Sequence, residues 1–266
     1  MIETGFVDIH THIIPGVDDG SANMERSLEM VRLAYNEGVR VIYATPHFGV
    51  RNPSYDWNKA DKNFNELADK VKELYPDMEL HYGCELYCGP GMIAGLNDGY
   101  ARKMSEHNHA MIEFSSRADY EEIFHGCRSL IREGYQPILA HAERYRNAFR
   151  KVKNVADICA QDVLVQMNTI SVLDQEELFT VIPEFKVEYD ETSLLERGFR
   201  KKADREQYKF CQRLITEGLV TFMGTDCHDM LGRKPLVRGP YERVIDLVGE
   251  ARADDIFRNN ALELLL

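Results

Sequence analysis

The stretch Phe6–Gly20 reads Phe-Val-Asp-Ile-His-Thr-His-Ile-Ile-Pro-Gly-Val-Asp-Asp-Gly, and it sets two histidines at the end of an apolar run. The run Phe6–His10 has the aromatic and β-branched character of a buried strand. In an extended chain, residues two apart point the same way, so His10 and His12 are expected to face one site. Two carboxylates follow on the next loop, at Asp18-Asp19. A strand that leads through a polar loop into a helix is the building unit of parallel α/β sheets.

This unit recurs along the chain. Six further strands are predicted at Val39–Ala44, Met78–Cys84, Ala110–Glu113, Pro137–Ala140, Val163–Met167 and Leu219–Met223. Apolar residues at helical spacing connect them, in stretches that begin at Met24, Trp57 and Tyr120. The alternation predicts a mostly parallel sheet, either open or closed into a barrel.

A weak internal repeat supports a single domain spanning residues 1–266. Three helical stretches end in the same dipeptide, at Glu37-Gly38, Glu133-Gly134 and Glu217-Gly218. Glycine there is typical of a helix C-cap. The least regular part is Thr169–Leu195, an acidic stretch that contains Pro183 and is predicted to run over the surface.

Composition excludes several classes of protein. The 266 residues are 44% apolar and 29% charged, which suits a globular domain with a core. A formal net charge of −12 argues against nucleic-acid binding, which needs a basic face. No apolar run approaches the roughly 20 residues of a membrane span, and the N-terminus lacks the pattern of a signal peptide. We therefore predict a cytoplasmic protein without membrane insertion. Its six cysteines form no CxxC pair and are interpreted as reduced thiols.

Side chains that can bind a metal follow six of the seven predicted strands. They are His10 with His12, His47, Glu85, Glu113, His141, and Asp226 with His228. Sites in parallel α/β folds form at the carboxyl ends of strands, so these groups are expected to converge. Imidazoles mixed with carboxylates suit Zn, Mn or Fe, which serve hydrolysis. The seventh strand leads to Asn168, and the other histidines are interpreted as structural or exposed: His81, His107, His109 and His125.

Two arginines follow strand-end ligands closely. Arg144 lies three residues after His141, and Arg233 lies five residues after His228. From these positions both guanidinium groups are expected to reach a substrate phosphate.

Five motifs together resemble the PHP-type bacterial tyrosine phosphatases encoded with capsular and exopolysaccharide synthesis genes, the CpsB/CapC/YwqE group. The motifs are Asp8-Ile-His-Thr-His12 with Pro15–Gly20, Ala44-Thr-Pro-His47, Gly83-Cys-Glu-Leu86, Ala140-His-Ala-Glu-Arg-Tyr145, and Gly224-Thr-Asp-Cys-His228 with Arg233 and Pro235. The match runs through most of the chain.

The resemblance implies a distorted (β/α)7 barrel of the PHP type with three divalent ions. Its implied metal ligands are His10, His12, Asp19, His47, Glu85, Glu113, His141, Asp226 and His228, and its implied catalytic residues are Arg144, Arg233, Asp226 and His228. Four carboxylates with three divalent ions leave a charge of +2, which suits a phosphate dianion. Asp8 and Asp18 are expected to orient the ligands. The implied substrate is a phosphotyrosine-containing protein, namely an autophosphorylated bacterial tyrosine kinase.

The chain departs from the family pattern in one region. After Asn168-Thr-Ile-Ser171 it takes a detour of about twenty residues before Ser193-Leu194 and the Gly198–Lys201 stretch. We predict an insertion around residues 169–195, near the mouth of the barrel.

Three other interpretations stay open at this point. The same metal chemistry serves PHP phosphatases for small molecules such as histidinol phosphate, and nucleases, although the acidic surface argues against a nuclease. Cys227 and Arg233 have the C-x5-R spacing of cysteine-dependent tyrosine phosphatases, but that loop normally needs glycines around the phosphate. The chain could also be a non-catalytic, metal-stabilised scaffold. The metal, the natural substrate and a homo-oligomeric state are left undecided by the sequence.

Overall fold

Parallel strands alternate with helices in the computed structural model, which describes residues 5–183, 186 and 194–265. The strands are β1 Phe6–Thr11, β2 Val39–Ala44, β3 His47–Phe48, β4 Glu79–Tyr82, β5 Glu85–Tyr87, β6 His109–Glu113, β7 Gln136–Leu139, β8 Leu164–Asn168 and β9 Phe222–Gly224. All pairings between these strands are parallel. The prediction of a parallel sheet is therefore confirmed.

The helices pack on the outside of these strands. They are α1 Met24–Asn36, α2 Trp57–Leu74, α3 Met92–Asn97, α4 Tyr120–Arg132, α5 Val152–Cys159, α6 Gln175–Val181, α7 Leu194–Thr216, α8 Arg238–Val248, α9 Glu250–Asp254 and α10 Asn260–Leu262. A π-helical segment, Asp255–Asn259, joins α9 to α10. The predicted helical stretches correspond to α1, α2 and α4. Each of them begins after a side chain that caps backbone N–H groups, at Asn23, Asp56 and Asp119. Among the described residues, no helix has both the length and the apolar character needed to cross a membrane.

The strands form two sheets that adjoin at two interrupted strands. The sheet orders are β1-β2-β4 and β3-β5-β6-β7-β8-β9. Thr45-Pro46 separates β2 from β3, and Gly83-Cys84 separates β4 from β5. Pro46 has no N–H to donate, which interrupts the ladder. Bonds still cross the gap, because the N–H groups of Gly83 and Glu85 donate to the carbonyls of Ala44 and Pro46, each at 3.0 Å.

The sheet curls until its outer strands approach each other. Thr11 and Cys227 form an isolated parallel bridge between the chain after β9 and the end of β1. The His12 N–H donates to the Cys227 carbonyl at 2.9 Å, and the Asp226 N–H donates to the His10 carbonyl at 2.7 Å. The fold is thus mixed α/β with a curled parallel sheet.

Two predicted strands are wrong in detail. The predicted Met78–Cys84 is divided, so Glu85 begins β5 instead of following a strand. The predicted Leu219–Met223 moves to Phe222–Gly224, because Leu219 completes the end of α7. Its N–H donates to the Leu214 carbonyl at 2.9 Å across Gly218, whose φ of 74° is the left-handed conformation that favours glycine.

Two groups of apolar side chains form the core. The larger group lies between the strands and the helices. The smaller group includes alternate residues of the strands, such as Val7, Ile9 and Phe222, together with Ala261 and Leu264 of the C-terminal segment. This inner layer of side chains lies among the strands, so the chain's last helical turns complete it.

The predicted surface excursion is only partly described. Its first part forms a 3-10 turn, Thr169–Val172, and helix α6, which begins with a capping box between Asp174 and Glu177. Residues 184–185 and 187–193 of the predicted insertion lie outside the described part of the chain.

Candidate metal centre

All nine predicted ligands come together at the carboxyl ends of the strands. The nearest approaches centre on Glu85, which is fully buried. Its Oε2 lies 3.4 Å from His10 Nε2, 3.4 Å from His12 Nε2 and 2.9 Å from His47 Nδ1. Its Oε1 lies 2.7 Å from His141 Nε2. Glu85 therefore contacts four of the five predicted histidines.

Three further carboxylates contact the histidines. Asp19 Oδ1 lies 3.3 Å from His47 Nε2 and 3.4 Å from His228 Nε2. Asp226 Oδ1 lies 3.4 Å from His12 Nε2 and 3.3 Å from His228 Nδ1. Glu113 Oε1 lies 2.8 Å from His47 Nδ1. Three overlapping groups have ligand spacing: His12, Asp19, His47 and His228; His10, His12 and Glu85; and His47, Glu85 and Glu113.

Several of these close atoms are not hydrogen-bonded to each other, although they are buried. The atoms without a hydrogen-bond partner include His47 Nδ1 and Nε2, Glu85 Oε2, Glu113 Oε1 and His228 Nε2. A buried polar atom without a partner is costly, and a native structure normally gives it one. Here the lone pairs converge on shared points between the side chains, as the ligands of a cation do. Nitrogen and oxygen donors in this arrangement fit divalent transition ions.

A second layer of side chains orients the ligands. Asp18 Oδ2 accepts from His12 Nδ1 at 2.7 Å and from the His47 N–H at 3.1 Å, as expected for an orienting carboxylate. Asp8 acts on the backbone instead. It accepts from the Thr225 N–H at 2.9 Å and from the His10 N–H at 3.3 Å, which joins the two ends of the sheet.

Gln166 is a functional residue that the sequence reasoning missed. It is fully buried in β8, where its Oε1 lies 3.2 Å from His10 Nδ1 and accepts from the His141 N–H at 2.6 Å. Its amide donates to Asn168 Oδ1 at 3.0 Å, and Asn168 in turn donates to Asp226 Oδ2 at 3.1 Å. An available signal was the amide in the otherwise apolar run Leu164-Val-Gln-Met, since buried polar groups need partners.

Two ligand positions have unusual backbone. His141 has a φ of 33° and Asp226 a φ of 53°, in the left-handed region that non-glycine residues seldom adopt. Such conformations cluster at functional sites, where the surrounding structure holds them. Since β9 ends at Gly224, a turn and not a strand directs Asp226 and His228 toward the cluster.

The charges of the cluster perturb its own pKa values. Burial lowers the pKa of His47, but contacts with Asp19, Glu113 and Glu85 outweigh burial and raise it to about 10. Burial and the neighbouring His12, whose ring centre lies 3.7 Å away, lower the pKa of His228 to about 4. Burial raises the pKa of Glu85, but His10 and His141 outweigh it and hold that pKa well below its usual range. The cluster thus retains ionised carboxylates, which ligation requires.

Both predicted arginines lie beside the cluster, on the outer oxygen of Asp226. Arg144 Nη2 lies 2.5 Å from Asp226 Oδ2, and Arg233 Nη1 lies 3.5 Å from the same atom. A third guanidinium, that of Arg51, also lies beside the cluster, where its Nη1 donates to Glu113 Oε2 at 2.7 Å. The sequence reasoning did not include it. Arg51 follows His47 by four residues, so the rule that singled out Arg144 and Arg233 would also have found it.

The cysteine of the C-x5-R spacing does not face this site. Cys227 is buried among apolar residues of the outer core, where its Sγ donates to the Asp229 carbonyl at 3.5 Å. Burial raises the pKa of its thiol well above the usual range, which disfavours the thiolate that a nucleophile needs. The loop that follows carries a predicted ligand, His228, instead of a phosphate cradle.

Comparisons with known proteins agree with this geometry. The profile of the family described as capsular polysaccharide synthesis, CpsB/CapC, matches residues 6–180 and 200–266. The tyrosine-protein phosphatase CpsB of Streptococcus agalactiae serotype III is 28% identical over 262 residues, which cover 97% of this chain and 98% of that protein. The tyrosine-protein phosphatase YwqE of Bacillus subtilis is 32% identical over 149 residues, which cover 53% and 55% of the two chains.

A solved structure has the same fold. It is one of the crystal structures of YwqE from Bacillus subtilis and CpsB from Streptococcus pneumoniae, which are described as unique metal-dependent tyrosine phosphatases. It superposes with a TM-score of 0.73 at 20% identity, and the alignment covers 96% of this chain and 97% of the other.

Proposed function

The chain belongs to the CpsB/CapC family, and from that membership and the geometry of its site we propose that it is a metal-dependent phosphatase acting on phosphotyrosine in proteins. The observation that carries the proposal is the set of buried, unpaired histidine and carboxylate atoms that converge beside guanidinium groups. Metal-dependent hydrolysis of a phosphomonoester uses side chains that hold divalent ions and, beside them, positively charged side chains that bind the phosphate.

The nine converging residues would hold three divalent ions, Mn, Fe or Zn. They are His10, His12, Asp19, His47, Glu85, Glu113, His141, Asp226 and His228. Such ions supply Lewis-acid chemistry, lowering the pKa of water and offsetting the charge of a phosphate. Asp18 and Gln166 fix the orientation of the imidazoles through their other ring nitrogens, and this raises their quality as ligands.

Arg144 and Arg233 would bind the nonbridging oxygens of the phosphate. Asp226 is central to this role because its two oxygens face different partners. Oδ1 faces His12 and His228, whereas Oδ2 faces the two guanidinium groups. The carboxylate therefore holds the arginines at the edge of the ligand cluster, where they can stabilise charge that develops on the transferred group.

The proposed architecture is a distorted (β/α)7 barrel. If β2 with β3 and β4 with β5 each count as one interrupted strand, seven parallel rows run from β1 to β9. The bridge between Thr11 and Cys227 supports closure of the last row onto the first.

We further propose that the substrate is an autophosphorylated tyrosine kinase of capsule or exopolysaccharide synthesis, encountered in the cytoplasm. The family description, capsular polysaccharide synthesis, supports this partner. The insertion predicted around residues 169–195 overlaps residues 181–199, which the family profile leaves unmatched. A segment that departs from the family profile and follows the site-bearing strand β8 in the chain suits a role in choosing the protein substrate.

Metal removal and a cysteine variant test the proposal together. Phosphate release from a phosphotyrosyl peptide should stop in the presence of a strong chelator and return when Mn, Fe or Zn is added. Cys227→Ser should retain most of its activity, because its sulfur lies in the apolar core. Elemental analysis of protein purified without a chelating tag should find about three divalent ions per chain.

The opposite results would refute the proposal. Chelator-resistant turnover together with an inactive, correctly folded Cys227→Ser protein would assign the reaction to the cysteine. Faster hydrolysis of histidinol phosphate than of the peptide would retain the metal chemistry but move the substrate to a small molecule.

A further inference from the structure

A cavity of about 500 Å³ opens beside the ligand cluster. Its lining residues are Val50, Arg51, Tyr87, Phe114, Ser115, Ser116, His141, Arg144 and Tyr145. Two arginines and no carboxylate are among them, although the whole chain carries a net charge of −12. Each guanidinium pairs with a carboxylate of the ligand cluster, Arg51 with Glu113 and Arg144 with Asp226, and its other N–H groups can bind an anionic ligand.

The residues that line the cavity are buried at one end and exposed at the other. His141, Phe114 and Tyr145 are buried and form its inner end, next to the predicted ligands. Val50 is 52% exposed and lies at the outer end. Tyr87 is half-buried and belongs to the same wall as Val50, since the backbone of Gly49 approaches that of Tyr87. A phosphate at the inner end would thus place its leaving group against the wall that Tyr87 and Val50 form.

The size of the cavity also distinguishes between leaving groups. A cavity of about 150 Å³ is enough for one benzene ring. The space of about 500 Å³ therefore accommodates a phenyl phosphate with room for part of a peptide. An alkyl leaving group as small as that of phosphoserine would leave the apolar walls uncovered.

We infer that this cavity is the subsite that binds the aryl ring of the substrate, with Tyr87 and Val50 as the walls that select aryl over alkyl phosphomonoesters. The inference rests on the proposed phosphatase function. Arg51 also lines the cavity, where its guanidinium donates to Glu113, and its side chain is 40% exposed. Tyr87 and Val50 contact the leaving group only, so they affect ring binding and leave phosphate binding to other residues.

Two ligands that differ only in the ring test this subsite without turnover. Phenylphosphonate and methylphosphonate carry the same anionic group, and calorimetry on the metal-loaded protein gives the Kd of each. The wild-type protein should bind phenylphosphonate more tightly. Tyr87→Ala should weaken phenylphosphonate binding by about three- to tenfold, as expected for one lost aromatic contact, and leave methylphosphonate unchanged.

Three further variants keep the test decisive. Val50→Ala should also weaken phenylphosphonate binding, by less than Tyr87→Ala does. Because Val50 is exposed, this variant should fold like the wild-type protein. Tyr87→Phe should retain ring binding. Tyr100→Ala removes an aromatic side chain that is 46% exposed and packs on Trp57 outside the cavity, so it should change neither Kd.

The inference and the proposed function fail in different ways. Equal Kd values for the two ligands in the wild-type protein, or equal weakening of both in Tyr87→Ala and Val50→Ala, would overturn the aryl subsite. The proposed function fails instead if the wild-type protein releases no phosphate from phenyl phosphate or a phosphotyrosyl peptide, whatever the phosphonates do.

Discussion

At the scale of single residues, Asp226 joins the predicted metal ligands to the two arginines proposed to bind phosphate. Its left-handed backbone, its contact with Asn168 and its two arginine neighbours all fix one carboxylate. Removing it would leave buried cations and imidazoles without their counter-charge, whereas removing an arginine would leave the ligand cluster intact. The two kinds of variant should therefore differ in metal content.

Arg144→Ala and Arg233→Ala are expected to keep their metal and lose activity. Loss of a charge-assisted contact to the transition state should lower kcat/KM by roughly 10²- to 10³-fold. Asp226→Ala should lose metal as well as activity, because it removes a ligand. Steady-state kinetics with elemental analysis would separate these effects.

Arg213→Ala provides the control for lost positive charge. That guanidinium pairs with Glu217 on the surface near the end of α7, and its loss should leave both readouts unchanged. Loss of metal from Arg144→Ala would instead show that Arg144 helps to hold the ligand cluster together.

The convergence of eight of the nine predicted ligands could be inferred from sequence because strand ends meet in a parallel sheet, whereas Asp19 was implied by the family resemblance. Gln166 could not be found by the same search, since that search looked for ligand types at strand ends, whereas Arg51 lies within reach of the rule that found Arg144 and Arg233. Gln166 lies inside a strand, and Arg51 acts through Glu113. The φ values of His141 and Asp226 had no sequence signal, because neither residue is glycine.

At the scale of elements, a side chain at the end of α1 caps the start of α8. Glu37, which ends α1, accepts from the N–H groups of Val237 and Arg238 with one carboxylate oxygen, at 3.0 and 2.9 Å. These donors belong to the start of α8, whose own N-cap residue has no capping side chain. Glu37 therefore caps a helix 200 residues later in the chain.

Replacing Glu37 by Ala should destabilise the protein by about 1 kcal/mol, the typical cost of a lost N-cap. The free energy of unfolding from urea titration measures this. Glu133→Ala is a matched control, because it changes the same Glu-Gly dipeptide at the end of α4, where the side chain is exposed. A similar loss in both variants would mean that Glu37 acts only on its own helix.

Element boundaries were predicted well where periodicity was long and poorly where strands break. Helix α2 ends at Leu74, two residues before Pro76 as expected. The division of the strand around Gly83 could not be read from an apolar run, because the strand that it pairs with is interrupted at the same level, at Thr45-Pro46. Gly83 is also crowded, since a Cβ there would lie 2.3 Å from the Met104 sulfur.

At the scale of the whole molecule, the C-terminal segment completes the inner core. Leu264 and Ala261 are buried against side chains that the strands direct inward, including Val7 and Ile9 of β1. The segment therefore contributes to the stability of strands that carry the ligands at their other ends.

Leu264→Ala should lower the free energy of unfolding by about 2–5 kcal/mol, as expected for a large-to-small change in a packed core. Urea denaturation followed by circular dichroism measures the loss. Leu231→Ala is the control, since that side chain is 62% exposed and its loss should stay within about 0.5 kcal/mol. A small effect at Leu264 would show that the inner layer is stable without the last turns.

The place of Leu264 in the same inner cluster as Val7 has a consequence for biosynthesis. All nine strands must leave the ribosome before Leu264 can join that cluster. Until then the inward-facing residues of the strands have no cover, and the nascent chain presents them to solvent or to chaperones. Contacts between such distant residues also form slowly, because a large loop must close first. Messages that end before codon 264 should therefore yield aggregation-prone products, even though they encode every predicted metal ligand.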